Sequence, residues 1–136
     1  MTHKYNDYLN YIVPDNWCVE EETDNLLIYN PTGSGAMTIS FFSRLSSEES
    51  LDEQISILAK KFIDQNVISV LSPLVLYNRD SKTLLCGTGT TSDGWFIKLW
   101  VVAKSHKIVF ATYQSERKSK EVKMFDSIID SFRFGF

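Results

Sequence analysis

The sequence is poor in the residues that most often carry chemistry. Its 136 residues include two cysteines and two histidines. Cys18 and Cys86 fall in different predicted strands and in no Cys-x-x-Cys pair, so no zinc site is supported. Both read as free thiols that behave as small hydrophobes. His3 belongs to the polar start Met1–Asp7, and His106 to a predicted hairpin turn between Ser105 and Lys107, where a solvated loop residue is the plain reading. A Cys86–His106 nucleophilic pair needs side chains within hydrogen-bond reach, which this spacing does not imply. Gly87-Thr88-Gly89 has strand on both sides and no following Gly-Lys-Ser/Thr, whereas a phosphate-cradling loop opens a helix. Its glycines instead fit a crowded or bulged strand against which a helix packs closely. No apolar run approaches the roughly 20 residues of a membrane helix. No signal peptide is visible in the polar start, so the expectation is a cytoplasmic protein without membrane insertion. Positive charge is not in excess either: 14 Lys and Arg stand against 17 Asp and Glu, for a net charge of −3. That excludes a general nucleic-acid binder, which needs a basic face. No cofactor or metal site is expected, and no catalytic set appears. No linker, repeat or low-complexity tract divides the chain, so residues 1–136 read as one domain.

What the sequence does have is strand. From Trp95 to Ala103 one side carries Trp95, Ile97, Leu99, Val101 and Ala103. The other carries Phe96, Lys98, Trp100 and Val102. A sheet covered on one side shows clean apolar/polar alternation; this strand is apolar on both, so both faces of its sheet must be covered. Shorter period-two runs lie at Tyr8–Pro14, Trp17–Glu22, Leu26–Tyr29 and Ala36–Ser43. Others lie at Ile68–Tyr77 (interrupted at Pro73), Lys82–Thr90 and Lys107–Gln114. The connections between neighbours, such as Asn78–Ser81 and Ser92–Gly94, are too short for parallel crossovers, so the sheet should be antiparallel. Ser50 with Glu53 forms a capping-box signature, and Leu51, Ile55, Leu58, Ala59, Phe62 and Ile63 follow at helical spacing to about Gln65. A second helix is expected over about Glu116–Ser131, with Val122, Phe125, Ile128, Ile129 and Phe132 as its stripe. The predicted class is α+β: an antiparallel sheet covered by helices on both faces, a three-layer α/β/α sandwich.

Candidate contact residues are few. Asp15, Glu20, Glu21, Glu22 and Asp24 form an acidic cluster. Glu20 and Glu22 share a strand face while Glu21 points away, so the cluster is not a ready cage for a hard cation, which needs converging oxygens. It reads either as a charged edge that discourages sheet-to-sheet pairing or as an acidic patch that steers a basic partner. Among Trp17, Trp95, Trp100, Tyr29 and Tyr77, most read as core. Trp17 is the exception placed near an interface, because it follows the Pro14-Asp15-Asn16 turn. Asp15, Trp17, Glu20, Glu22 and Asp24 are therefore the predicted partner-binding residues, with Asn30–Gly35 as a second loop a partner could approach.

Three segments carry a family resemblance: Ile12-Val13-Pro14-Asp15-Asn16-Trp17; Tyr29-Asn30-Pro31 with Ala36-Met37-Thr38-Ile39-Ser40; and Ile128-Ile129-Asp130-Ser131-Phe132-Arg133. Together they resemble the fold family shared by PsbP of photosystem II and the nuclear-transport factor Mog. The resemblance implies a PsbP-like sandwich used mainly to bind other proteins, usually without enzymatic activity, in a small bacterial member. The expected function is a non-catalytic protein-interaction domain, such as a chaperone or immunity-type partner of another bacterial protein. The alternative is a small-ligand binder or minor hydrolase, with a pocket between helix and sheet near Cys86, His106 and Trp100.

Overall fold

The computed structural model describes residues 2–5, 8–43, 50–79 and 81–135. Met1, Asn6, Asp7 and Asp80, named above in the polar start and the Asn78–Ser81 turn, lie outside the described residues. The elements in chain order are β1 (Thr2–Tyr5), β2 (Leu9–Ile12), β3 (Cys18–Glu21), β4 (Asn25–Tyr29), β5 (Gly35–Ser43), α1 (Leu51–Gln65), β6 (Ser69–Arg79), β7 (Lys82–Thr90), β8 (Phe96–Lys104), β9 (Lys107–Ser115), α2 (Val122–Asp130) and β10 (Arg133–Phe134). Seven strands make one sheet in the order β3-β4-β5-β9-β8-β7-β6, and three make a second in the order β1-β2-β10. Every pairing is antiparallel, as the short connections require.

The doubly apolar β8 sits inside the large sheet between β9 and β7. On one side Leu99, Val101 and Ala103 join Leu85, Ile108 and Phe110 under Ile55 and Ala59 of α1. The helix starts where the sequence says it should: the Ser50 side chain accepts a hydrogen bond from the Glu53 amide at 3.2 Å. On the other side Phe96, Trp100 and Val102 join Met37, Ile39 and Tyr113 beneath Leu9 and Tyr11 of β2, Phe125 and Ile129 of α2, and Phe132.

This second cover corrects the expected class. Among the described residues the protein is mainly β, with 52% strand against 19% helix in two antiparallel sheets; it is not a three-layer α/β/α sandwich with a helical layer on each face. A nine-residue helix is too short to roof a seven-stranded sheet. The small sheet β1-β2-β10 supplies the rest of the cover. α2 begins at Val122, the first residue of its apolar stripe, rather than near Glu116; its N-cap residue Glu121 makes no side-chain cap bond and accepts from the Gly35 amide instead. β1 is hidden by its mostly polar sequence, Thr-His-Lys-Tyr, which pairs with β2 and reaches the core only through Tyr5, stacked on Phe41. Gly87 and Gly89 answer to crowding, but from β6 and its lead-in rather than from a helix. A Cβ on Gly89 would lie 2.5 Å from Ile68 and 2.7 Å from the Ser69 carbonyl.

Candidate functional site

The five predicted partner-binding residues gather at one edge of the large sheet. Asp15 is exposed in a turn closed by the Trp17 amide on the Pro14 carbonyl at 3.3 Å. Asn16 there takes the left-handed conformation at φ 72°, which asparagine tolerates better than most residues. Trp17 is half-buried, with its ring 5.0 Å from that of Phe125, so much of its surface serves the core. Glu20 is exposed on β3, and Glu22 and Asp24 are exposed at the β3–β4 hairpin, which the Glu22 amide closes on the Asn25 carbonyl at 2.8 Å. Glu20 shares its face with Leu27, while Glu21 lies on the Tyr11 side, where its charge helps raise the Tyr11 pKa. Tyr29, on the Glu20 face, has its pKa raised, first by its hydrogen bond with Cys18. Among the described residues no group of three His, Cys, Asp or Glu side chains is placed to hold a metal ion.

The opposite edge is chemically different. β6 pairs with β7 alone, and register shifts on either side of Ser72 make room for Pro73, which cannot donate to a ladder. Around it Val67 (70% exposed), Leu71 (63%), Val70, Val75, Leu76 and Tyr77 all stand in solvent. Beside them an apolar cleft of about 470 Å³ opens between α1 and the sheet, lined by Ile63, Ile68, Val70, Leu74, Ile97 and Leu99, with Lys60 and Asp64 from the helix. From the sequence, Pro73 points to a bulge, an edge or a strand start, and the structure has both a bulge and an edge there; Tyr77, which reads as core, is exposed instead.

A polar cluster lies on the α2 side. Lys98 Nζ donates to Asp126 Oδ1 at 2.8 Å, and Trp100 Nε1 donates to the same oxygen at 3.0 Å. The ammonium also sits 5.2 Å from the centre of the Trp100 ring. These contacts explain how a lysine interrupts an apolar strand: its charge is matched where the chain covers it. Cys86 pairs across the ladder with Trp100, and its Sγ lies 3.1 Å from Tyr77 Oη. A phenol is a poor base at neutral pH, so this contact does not activate the thiol. His106 is exposed in the β8–β9 turn. Trp100 is separated from that turn by four residues of strand, roughly 13 Å at 3.3 Å per residue. The structure therefore joins Cys86 to Trp100, and the two line a small cavity of about 180 Å³ between α2 and the sheet with Lys98, Asp126 and Ile129; His106 is left apart, and the larger cleft under α1 is lined by none of the three.

The tryptophan that faces solvent is Trp95, 43% exposed, rather than Trp17. It precedes β8 and borders a groove of about 420 Å³ with Tyr29, Asn30, Thr38, Thr112 and Gln114. The Asn30–Gly35 loop forms the other wall. The signal available in the sequence was the Ser92-Asp93-Gly94 turn just before Trp95, which places that residue at the rim of the sheet.

The fold is PsbP-like. The chain is similar to the solution structure of cyanobacterial PsbP (CyanoP) from Synechocystis sp. PCC 6803, with a TM-score of 0.71 at 10% identity over 98% of this chain and 91% of that one. It is also similar to a crystal structure from Bacteroides thetaiotaomicron, with a TM-score of 0.55 at 12% identity over 95% of this chain and 46% of that one. At such identities the likeness is one of fold. No protein-family model matches the chain, and no curated protein matched it.

Proposed function

We propose that the protein is an interaction module that takes an extended, apolar segment of a partner protein as an added strand along β6. The observation that carries this reading is the row of exposed apolar side chains on an edge strand, from Val70 to Tyr77, with Val67 exposed in the turn before it. A large exposed apolar patch favours an interaction site, and an edge strand offers unpaired N–H and C=O groups to an incoming backbone. Strand addition uses both at once. Residues 67–78 contain no charged side chain, so this edge lacks the lysines that commonly block sheet-to-sheet pairing. The bulge at Pro73 splits it into two short registers, and the neighbouring cleft can receive an apolar side chain of the docked segment. A chaperone or an immunity-type partner of another bacterial protein would use such an edge in this way.

The cleft also favours a second reading, a small apolar ligand held between α1 and the sheet. Photo-crosslinking in the native cell separates the two. With benzoylphenylalanine at Leu71, Val75 or Glu22, protein adducts are expected from the first two positions, and Val75→Lys should abolish the adduct from Leu71. Adducts from Glu22 alone would move docking to the acidic edge. Absence of adducts from all three overturns strand addition, and a small molecule released on denaturing the purified protein would then assign the cleft to a ligand.

A further inference from the structure

The groove beside Trp95 is distinct from the β6 edge in both position and chemistry. α1 packs over β7, β8 and the near part of β9, and beyond it the same sheet face continues across β9, β5 and β4. Register places Gln114 opposite Ala36, Thr112 opposite Thr38, and Ala36 opposite Tyr29 on that face. The groove they line with Trp95 and Asn30 holds no charged side chain. A second groove of about 410 Å³ lies against the same tryptophan and is bordered by Asn66, Ser92 and Asp93. Hydrogen bonds hold the backbone of both walls of the first groove. The Thr91 amide donates to the Trp95 carbonyl at 2.9 Å, and the Trp95 amide donates to Thr91 Oγ1 at 3.1 Å. Across the groove, Glu121 Oε2 accepts from the Ser34 amide at 3.3 Å, the Gly35 amide at 3.1 Å and Tyr113 Oη at 2.7 Å. A Cβ at Gly33 would lie 1.8 Å from Glu121 Oε1, so a side chain there would displace the carboxylate from this position.

We infer that this groove binds a neutral saccharide, a pyranose ring stacking on the Trp95 indole with its hydroxyls hydrogen-bonded by Gln114, Asn30, Thr38 and Thr112. The match is chemical. One face of a pyranose is a patch of C–H groups suited to an aromatic surface, and its rim is a ring of hydroxyls that both donate and accept, as amides and hydroxyls do. Phosphates and carboxylates call for Arg or Lys, which this groove lacks. An apolar peptide would leave the polar lining unpaired, at a cost for each desolvated group. An open trough suits a chain of sugars, and hydrogen-bonded walls spare the ligand the entropic cost of ordering the site.

The test is titration of the 15N-labelled protein with cellotetraose, maltotetraose and triacetylchitotriose, followed by NMR. The chain has three tryptophans, so three indole N–H signals report separately. At least one probe should give saturable shifts, with Kd in roughly the 0.1–5 mM range, on the Trp95 indole and the Gln114 side-chain amide. The Trp17 and Trp100 indoles should stay still. Trp95→Ala should weaken binding by about tenfold or more, and Trp95→Phe should retain part of it; the amide spectrum of each variant shows that it is folded. No saturable shift from any probe at about 10 mM, shifts centred away from Trp95, or affinity unchanged in Trp95→Ala would each overturn the site. So would a protein captured by benzoylphenylalanine at Gln114 when no sugar binds, which would give the face to a protein partner.

Discussion

Tyr11 is held in the core by β2, only 1% exposed, and its hydroxyl is pushed up to about 12, first by burial and then by the charge of Glu21. Burial raises Tyr8 too, partly offset by its hydrogen bond with the Ile108 backbone. Both groups hold their protons more tightly folded than unfolded. The sign follows: their contribution is intact below the ordinary value of 10.0 and is lost as pH rises toward about 12. Urea midpoints should therefore be insensitive to these groups up to about pH 9 and fall above about pH 10. Tyr11→Phe should flatten that fall while leaving the smaller share from Tyr8; an unchanged alkaline slope would remove Tyr11 as its source. Single residues were unevenly legible. The two cysteines read as buried small hydrophobes, but both are only half-buried, each beside a tyrosine hydroxyl. Which tryptophan faces solvent does not follow from residue type, because Trp17 and Trp95 both follow turns and only the packing of Phe125 tells them apart.

Among the elements, α1 was the most legible, since its cap and its three-and-four spacing are local properties. Ile55 is fully buried on its inner face and Ile57 is 53% exposed on its outer one. Ile55→Ala should cost about 2–5 kcal/mol by leaving a cavity against the sheet. Ile57→Ala should change stability by less than about 0.5 kcal/mol. Equal effects in chemical denaturation would mean that the helix packs otherwise than described. β1 and α2 were harder, for opposite reasons. β1 has only Tyr5 as an apolar signal, and α2 has an apolar stripe that runs on to Phe132, beyond its hydrogen-bonded helix. In β6 the proline is legible as the mark of a bulge, an edge or a strand start, and the strand runs unbroken through it with register shifts at the edge of the sheet; which of those options applies belongs to the topology.

At the scale of the molecule, the large sheet has one acidic edge and one apolar edge. Six interstrand spacings of about 4.8 Å put β3 roughly 29 Å from β6, against a screening length of about 8 Å at 0.15 M salt. A partner segment docked on β6 should therefore bind Glu20→Lys and Glu22→Lys variants as tightly as the parent at that ionic strength. A loss of about tenfold or more in a titration would instead put contact at the acidic edge. The same scale shows why the expected architecture failed. A doubly buried β8 does demand cover on both faces, and both are covered; the demand is silent on whether helix or sheet provides the cover. The groove at Trp95 was equally unreadable, because it joins the Asn30–Gly35 loop to a residue 60 positions further along the chain.

The strand order also bears on how the chain folds. Five of the six seams in the large sheet join strands that follow one another in sequence, so β3-β4-β5 and β6-β7-β8-β9 can each assemble as a local meander. The remaining seam, β5 against β9, sets Gly35 beside Ser115 and Ser43 beside Lys107 in nine consecutive pairs. Closing it brings together residues far apart in the chain, so it carries the largest loop-closure entropy of any seam in the sheet. The slow step of folding is therefore expected at that seam, and substitutions on β5 or β9 should slow refolding more than equally destabilising ones on β3 or β6.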